Sequence, residues 1–423
     1  MLIRRVGWSG FLLWVLCEGV VPCRAGVAAD DWPCWRGPTK DGVVRSTQAL
    51  PLTWSETENV RWKVAVPGRG HGSPSVAGSR IYLATAEAES SSQRVLCYER
   101  ESGRLKWNTV VHQGPFTPGG HRHASLASGT VAVDGDRLFI SFLHAGGIHT
   151  SALDLEGKVL WQTKICDFVL HQGFGASPVV HGPVVLVTAD HRGGGTVAAL
   201  DRMDGKVRWT ASRPRIANYT SPSVMTVGGR EQMVLAGCNL VSSFDPLTGS
   251  KLWEIDSSTE ECVVTAVTDG TRVFVSGGYP RNHTMAVLAD GSGKVAWQNT
   301  TRAYVPSMIV DRGHLYAVLD AGMAVCWKAD TGEELWKERL GGEFYASPVR
   351  VGDRMYAVSL AAVTSVFEAR PGGFQLLAQN KLGDEAFASP AIAGGRIFLR
   401  VAATGDRRQE SLYCLGLPEA AGP

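Results

Sequence analysis

The chain has 423 residues, 44 % of them hydrophobic and only 19 % charged, with 49 glycines and 13 tryptophans. That mixture excludes a disordered chain, which needs high charge and few aromatics, and a long-helix protein, which needs Ala, Glu, Lys and Leu in excess. With 42 basic against 40 acidic residues the net charge is +2, so no strong field draws nucleic acid or an anionic membrane.

Residues 1–29 read as a secretory signal. Arg4-Arg5 is the basic start, Phe11 to Leu16 the apolar stretch, and Val27-Ala28-Ala29 the small residues a signal peptidase wants, so the cut is expected after Ala29. The mature chain is then expected in the periplasm or outside the cell. No stretch approaches the ~18 apolar residues of a membrane span, so no transmembrane segment is expected. Leu16 and Pro22, which precede Cys17 and Cys23, are poor neighbours for lipid attachment, and Gly7-Trp8 is a poor continuation of a twin-arginine signal. Cleavage removes Arg4, Arg5 and Arg24 with Glu18, leaving 39 basic and 39 acidic groups. Seven of the nine cysteines remain, an odd number ill suited to a disulfide framework. Cys238 and Cys262 are the pair open to bonding.

Residues 30–58 form an N-terminal arm, after which a repeat organises the chain. Each copy opens on a small residue and proline, runs through two strands, turns at a glycine and reaches a tryptophan. The clearest copy is Ser73-Pro74, Arg80 to Leu83, Val95 to Tyr98, Ser102-Gly103 and Trp107. Further starts are Ser177-Pro178, Ser221-Pro222, Pro306-Ser307, Ser347-Pro348 and Ser389-Pro390, with degenerate ones near Ser125 and Val264. The tryptophans at 107, 161, 209, 253, 297 and 336 lie 54, 48, 44, 44 and 39 residues apart. A period of ~40–50 residues in four short strands is that of a propeller blade, with strands expected to alternate between faces. Glycine serves the hairpin turns, and the indoles pack between blades. Cys97, Cys326 and Cys414 stand where other copies carry Ala152, Ala199 or Ser243, as small core fillers.

Seven copies run from residue 71 to 378, the last with Leu376-Leu377 in place of tryptophan, and an eighth starts at Ser389 without an outer strand. The orphan strand Asn59 to Lys63, carrying Trp62, supplies it and closes the ring. The expectation is all-β: a single eight-bladed β-propeller of four-stranded blades over residues 59–417, with a tail over 418–423. Seven blades is the alternative, if the copy with Leu376 is an insertion.

The Ser-Pro start, the Asp-x-x-Thr-Gly-x-x-x-Trp turn and the eight copies resemble the pyrroloquinoline quinone (PQQ)-like propeller repeat. Quinoprotein alcohol dehydrogenases, the BamB lipoprotein of outer-membrane assembly and many secreted planctomycete-type propellers share it. Asp31-Trp32-Pro33-Cys34-Trp35-Arg36-Gly37-Pro38 is similar to the start of that last group, whose members mostly lack an assigned activity. The dehydrogenase resemblance implies PQQ, held by a tryptophan and a disulfide of adjacent cysteines, with a calcium ion. The chain has no Cys-Cys pair, and no cofactor or metal is assigned from sequence.

In a propeller the residues just before each blade start converge on a central funnel. The candidate site is therefore His71, His123, His171, Asn218, Tyr219, Glu261, Tyr304, Glu343, Tyr345 and Glu385, with Arg69, Arg302 and Phe387 beside them. Glu261, Asn218 and Glu343 are the oxygen set to weigh for a hard cation, and Glu343 or Glu385 the bases to weigh. The favoured function is a binding or scaffold module, BamB-like, taking a protein partner, small molecule or glycan at the funnel as a monomer. The alternative is a quinone-dependent or metal-assisted oxidoreductase in the same funnel.

Overall fold

The computed structural model describes residues 30–46, 49–256 and 258–418. The expected signal and residues 419–423 lie outside the described residues. Every regular element described is a strand, and the 33 strands make eight sheets arranged as a propeller. Among the described residues no helix is long and apolar enough to cross a membrane.

The first blade is built of Ser75–Ala77, Arg80–Glu87, Ser92–Glu99 and Leu105–Gln113, each pairing antiparallel with the next. Six more follow in chain order. The seventh has four complete strands, Val349–Val351, Arg354–Val358, Val363–Arg370 and Gly373–Lys381, so the copy with Leu376 is a blade and the count is eight. The eighth has Ala391–Ala393, Arg396–Ala403 and Gln409–Leu415, and its outer strand is Val60–Val66, pairing antiparallel with Gln409–Leu415 and placing Trp62 opposite Cys414. The ring is thus closed by strands from opposite ends of the repeat, as the orphan tryptophan strand predicts.

Alternation holds only in the outer strands, such as Val60–Val66. The second strands are buried along nearly their whole length, as in Arg137–His144, because a blade is covered on both faces and both side-chain sets must be apolar.

The serines of the Ser-Pro starts form a ring. The backbone N–H of Ser73 donates to Thr130 Oγ1, Thr130 to Ser177 Oγ and Ser177 to Ser221 Oγ, at 3.1, 3.0 and 2.9 Å. The series resumes from Thr265 to Ser307, Ser347, Ser389 and back to Ser73. The degenerate starts are Thr265, next to Val264 as expected, and Thr130, five residues past Ser125; threonine supplies the same hydroxyl without the proline that marks most copies.

The turn glycines and tryptophans form a second inter-blade device. Six indoles pack under the turn of the following blade and donate their N–H to a carbonyl there: Trp62 to Arg100, Trp107 to Leu155, Trp161 to Arg202, Trp209 to Pro246, Trp297 to Ala329 and Trp336 to Arg370, at 2.8–3.2 Å; Trp253 instead donates to Gln232 Oε1 at 2.7 Å. Gly249 shows why the turn needs glycine: its φ is 72°, and a Cβ would lie 2.5 Å from the Trp209 ring. Opposite the indoles stand Cys97, Ala152, Ala199, Ser243, Cys326 and Cys414, the small fillers expected there. The described cysteines, Cys238 and Cys262 included, are all unpaired.

The arm crosses the ring. Trp32 bridges Val76 of the first blade, the Pro33 carbonyl accepts from Val133 of the second, and Arg36 donates to the Ser307 and Met308 carbonyls of the sixth. Val43–Val44 then pairs parallel with the inner strand of the seventh, and Trp54, 4 % exposed, joins the core near Leu377 and Ala378, where that blade lacks a tryptophan. The Trp35 indole donates to Thr265 Oγ1 at 2.9 Å, at the break in the serine–threonine ring between Ser221 and Thr265.

Candidate functional site

The loops before the blades surround a cavity of about 1000 Å³. Ring serines and Trp35 line it together, so the arm that crosses the channel also furnishes its deep end. One wall is aromatic. His71 stacks on Phe387 with centroids 3.9 Å apart at 15°, and His123, Tyr345 and Phe387 lie edge-on or tilted to one another at 5.7–5.9 Å. Those four rings come from the loops before the first, second, seventh and eighth blades, positions brought together only by ring closure. Burial, then the guanidinium groups of Arg69, Arg400 and Arg408, hold His71 well below the ordinary imidazole range. Burial, with Arg122 and His121, also lowers His123, so both rings are neutral at neutral pH and each offers one donor and one acceptor.

The opposite wall carries Tyr219 and Tyr304, with the Arg302 guanidinium 4.9 Å from the Tyr304 ring centre. Behind them is a clamp. Glu261, 3 % exposed, accepts from the Tyr304 hydroxyl at 2.9 Å and lies 3.3 Å from His171 Nδ1, which is also 3.0 Å from the Tyr219 hydroxyl. A carboxylate only accepts, so His171 Nδ1 carries its proton toward Glu261. The Tyr219 oxygen accepts there as well as from the Gln172 backbone N–H. Burial, then the Glu261 charge, raises the pKa of both tyrosines, so they stay protonated. The four residues precede four consecutive blades, the third to the sixth, and fix their loops to one another.

Of the ten residues singled out from sequence, His71, His123, Tyr219, Tyr304, Glu343 and Tyr345 line the cavity, and His171 and Glu261 support it from behind. Asn218 does not face the funnel. It is 5 % exposed; its amide donates to Asp190, Thr220 and the Ala236 carbonyl, and its oxygen accepts from the Cys262 N–H. This knot sits on the buried Arg213–Asp190 ion pair. Glu385 is paired with Arg408 and does not line the cavity. The lining residues that escaped the sequence include Trp35, legible only as part of the arm motif, and Asp320, whose carboxylate accepts the N–H groups of Tyr304 and Val305 at 2.8 and 3.0 Å.

The quinone and calcium ion that the resemblance implies do not fit these residues. Of the oxygen set, Asn218 and Glu261 are committed to the bonds just described, and Glu343 is exposed at the mouth. Among the described residues no three His, Cys, Asp or Glu side chains are placed to hold a metal ion, and no cysteine pair exists to press on a planar ring.

Fold and site together define an eight-bladed propeller with a ligand-sized cavity in its funnel and an arm across its channel. The family model described as outer membrane protein assembly factor BamB matches residues 38–165, 91–322 and 281–375, and the chain belongs to this family of PQQ-like propeller repeats. It is 25 % identical over 286 residues to the outer membrane protein assembly factor BamB of Yersinia pestis, an alignment over 63 % of this chain and 66 % of that one, just under two thirds of the relative's length. Among solved structures it resembles a europium-containing methanol dehydrogenase (TM-score 0.68, 12 % identity, 92 % of this chain and 98 % of that one). It likewise resembles BamB from Moraxella catarrhalis (TM-score 0.58, 15 % identity, 86 % and 99 %). At those identities the likenesses show the fold alone.

Proposed function

We propose that the chain is a protein-binding module of the cell envelope that assists outer-membrane protein assembly, with its partner docking at the funnel mouth. The observation that carries this is the state of the funnel side chains. The carboxylates Glu261, Asp320 and Glu385 are committed, the first to Tyr304 and His171, the second to backbone N–H groups and the third to Arg408. The mouth instead presents Tyr345, Phe387, Arg302 and Glu343 around the cavity, an aromatic and mixed-charge composition suited to protein contact. The family match agrees with it. The mature chain, from residue 30, works as a monomer in the periplasm or outside the cell after removal of residues 1–29, with the propeller over residues 59–417.

The test is deletion in the native host. Outer-membrane protein levels should fall and be restored by the wild-type chain but not by Ala124→Trp, which sets an indole into the funnel. Unchanged levels on deletion, or full restoration by that variant, would sink the proposal.

A further inference from the structure

Beside the funnel, between the first two blades, lies a second cavity of about 390 Å³. It shares His121, Ala124, Gly173 and Phe174 with the main one, so the two are continuous. Its wall is largely apolar, with Phe116, Pro118, Leu126, Leu143 and Leu170 around a single guanidinium, that of Arg69. The backbone of Arg69 is fixed by its bridge to Ala86. Its side chain forms no hydrogen bond or ion pair among the described residues, and its Nε is buried without a partner.

The surroundings do not neutralise it. The groups nearest in charge are Arg400 and Arg408 with Glu385 and Glu410. Both carboxylates are already taken: Glu410 by Arg400 and Arg408, and Glu385 by Arg408. Three guanidinium groups thus face two carboxylates, and the charge left over is the one on the cavity wall. Burial, then Arg408, lowers the Arg69 pKa, yet an arginine remains charged at any physiological pH. A half-buried cation with no ion-pair partner of its own is poorly compensated, and a planar anion that accepts two of its N–H groups relieves it. One guanidinium suits a monoanion, and the apolar wall suits a compact hydrocarbon group on it. A volume near the small end of ligand pockets, ~300–1,000 Å³, limits the size of that group.

We propose that this side cavity binds an apolar carboxylate, the carboxylate forked on Arg69 and the hydrocarbon part against Leu143, Leu170 and Phe116. Two sources share that chemistry: a free aryl or alkyl acid, and the last residue of a polypeptide ending on an apolar side chain that enters through the funnel. The site stands independently of the envelope role above, because its binding is read on the purified protein and that role is read in the host.

The experiment is calorimetric titration of the whole mature chain with 3-phenylpropionate, 3-phenylpropionamide, N-acetyl-Gly-Phe and N-acetyl-Gly-Phe-amide. At least one acid should bind saturably and its amide about ten-fold more weakly or worse, as for loss of a charge-assisted bond. Binding of the free acid alone assigns a small molecule, binding of the peptide acid alone a chain end, and binding of both a site open to either. Arg69→Gln should abolish the preference for acid over amide with its thermal melt unchanged, since no native bond is lost. Leu170→Trp, which sets an indole into the cavity, should weaken acid binding at least ten-fold and guards against misfolding of the first variant. Equal binding of acid and amide, an acid preference that survives Arg69→Gln, or no acid binding would overturn the assignment.

Discussion

Replacing Glu261 by alanine removes the one acceptor shared by Tyr304 and His171. Each bond to the carboxylate is worth ~1.5–3 kcal/mol, and the donors left behind, Tyr304 and His171, are half-buried and lose that acceptor. The relief of no longer burying a charge offsets part of this, so the net loss is expected at ~3–5 kcal/mol, as for other broken buried pairs. Glu261→Gln keeps the shape and one acceptor but turns an NH₂ group toward a donor, and should cost ~1–3 kcal/mol. The assay is urea unfolding of wild type, E261A, Y304F and the double variant. Once Glu261 is gone the half-buried Tyr304 hydroxyl has lost its partner. Tyr304→Phe should therefore destabilise the wild type but be neutral or stabilising in the alanine background, a coupling of ~1–3 kcal/mol. An E261A protein within about 0.5 kcal/mol of wild type, or additive single effects, would show that no clamp joins these loops.

The remaining predictions concern pH, packing and the buried ion pair. His112, His144 and His149 pack between the first two blades at 4.7–6.1 Å. Burial lowers all three, His112 to about 4, and the other charge that bears on them is Lys164, itself a cation. Because the folded pKa lies below the unfolded ~6.5, this stabilisation is complete above pH ~6.5 and is lost as pH falls toward 4. The loss attributable to His112 should be ~2–3 kcal/mol after allowance for solvent screening, and His112→Phe should flatten the pH dependence of the melting curve. Gly249→Ala forces a Cβ into Trp209 at positive φ and should cost ~1–3 kcal/mol; an unchanged denaturation midpoint would argue against the glycine–indole seam. Asp190→Ala leaves Arg213 charged and buried and should cost ~3–5 kcal/mol, whereas Asp190→Leu with Arg213→Met should recover much of that loss, again read by urea unfolding.

The tryptophan–glycine spacing was legible because one device recurs: an indole seated under the next blade's turn needs a glycine there and a small residue opposite, leaving three marks per repeat. Trp62 carried the same marks and so could be placed in the eighth blade although it lies more than 300 residues from its partner strand. The starts at Thr130 and Thr265 were only roughly legible, the first five residues from its expected place, because a hydroxyl does the work while proline is the visible letter. Asn218 was misread because an extended chain turns neighbours to opposite sides: Tyr219 takes the cavity and Asn218 the buried knot beneath it. Glu385 looked free because its partner, Arg408, is 23 residues away on another strand. The arm motif was visible, but Thr265, which receives the Trp35 indole, lies 230 residues on, and no local pattern reports a contact at that separation. Arg69 entered as one polar letter among many at the mouth; its lack of a partner emerges only when every neighbouring carboxylate has been assigned.

The funnel as docking face is tested most directly by site-specific photocrosslinking in the native host. A benzophenone side chain would be placed at Tyr345 or Glu343 on the mouth, and at Leu160 or Leu376 on the outer strands, where the native residues are 39 % and 43 % exposed. A discrete envelope-protein adduct from the mouth positions, absent from the outer strands and lost when Ala124→Trp sets an indole into the cavity, is the predicted result. Adducts confined to the outer strands, or unaffected by that substitution, would contradict it.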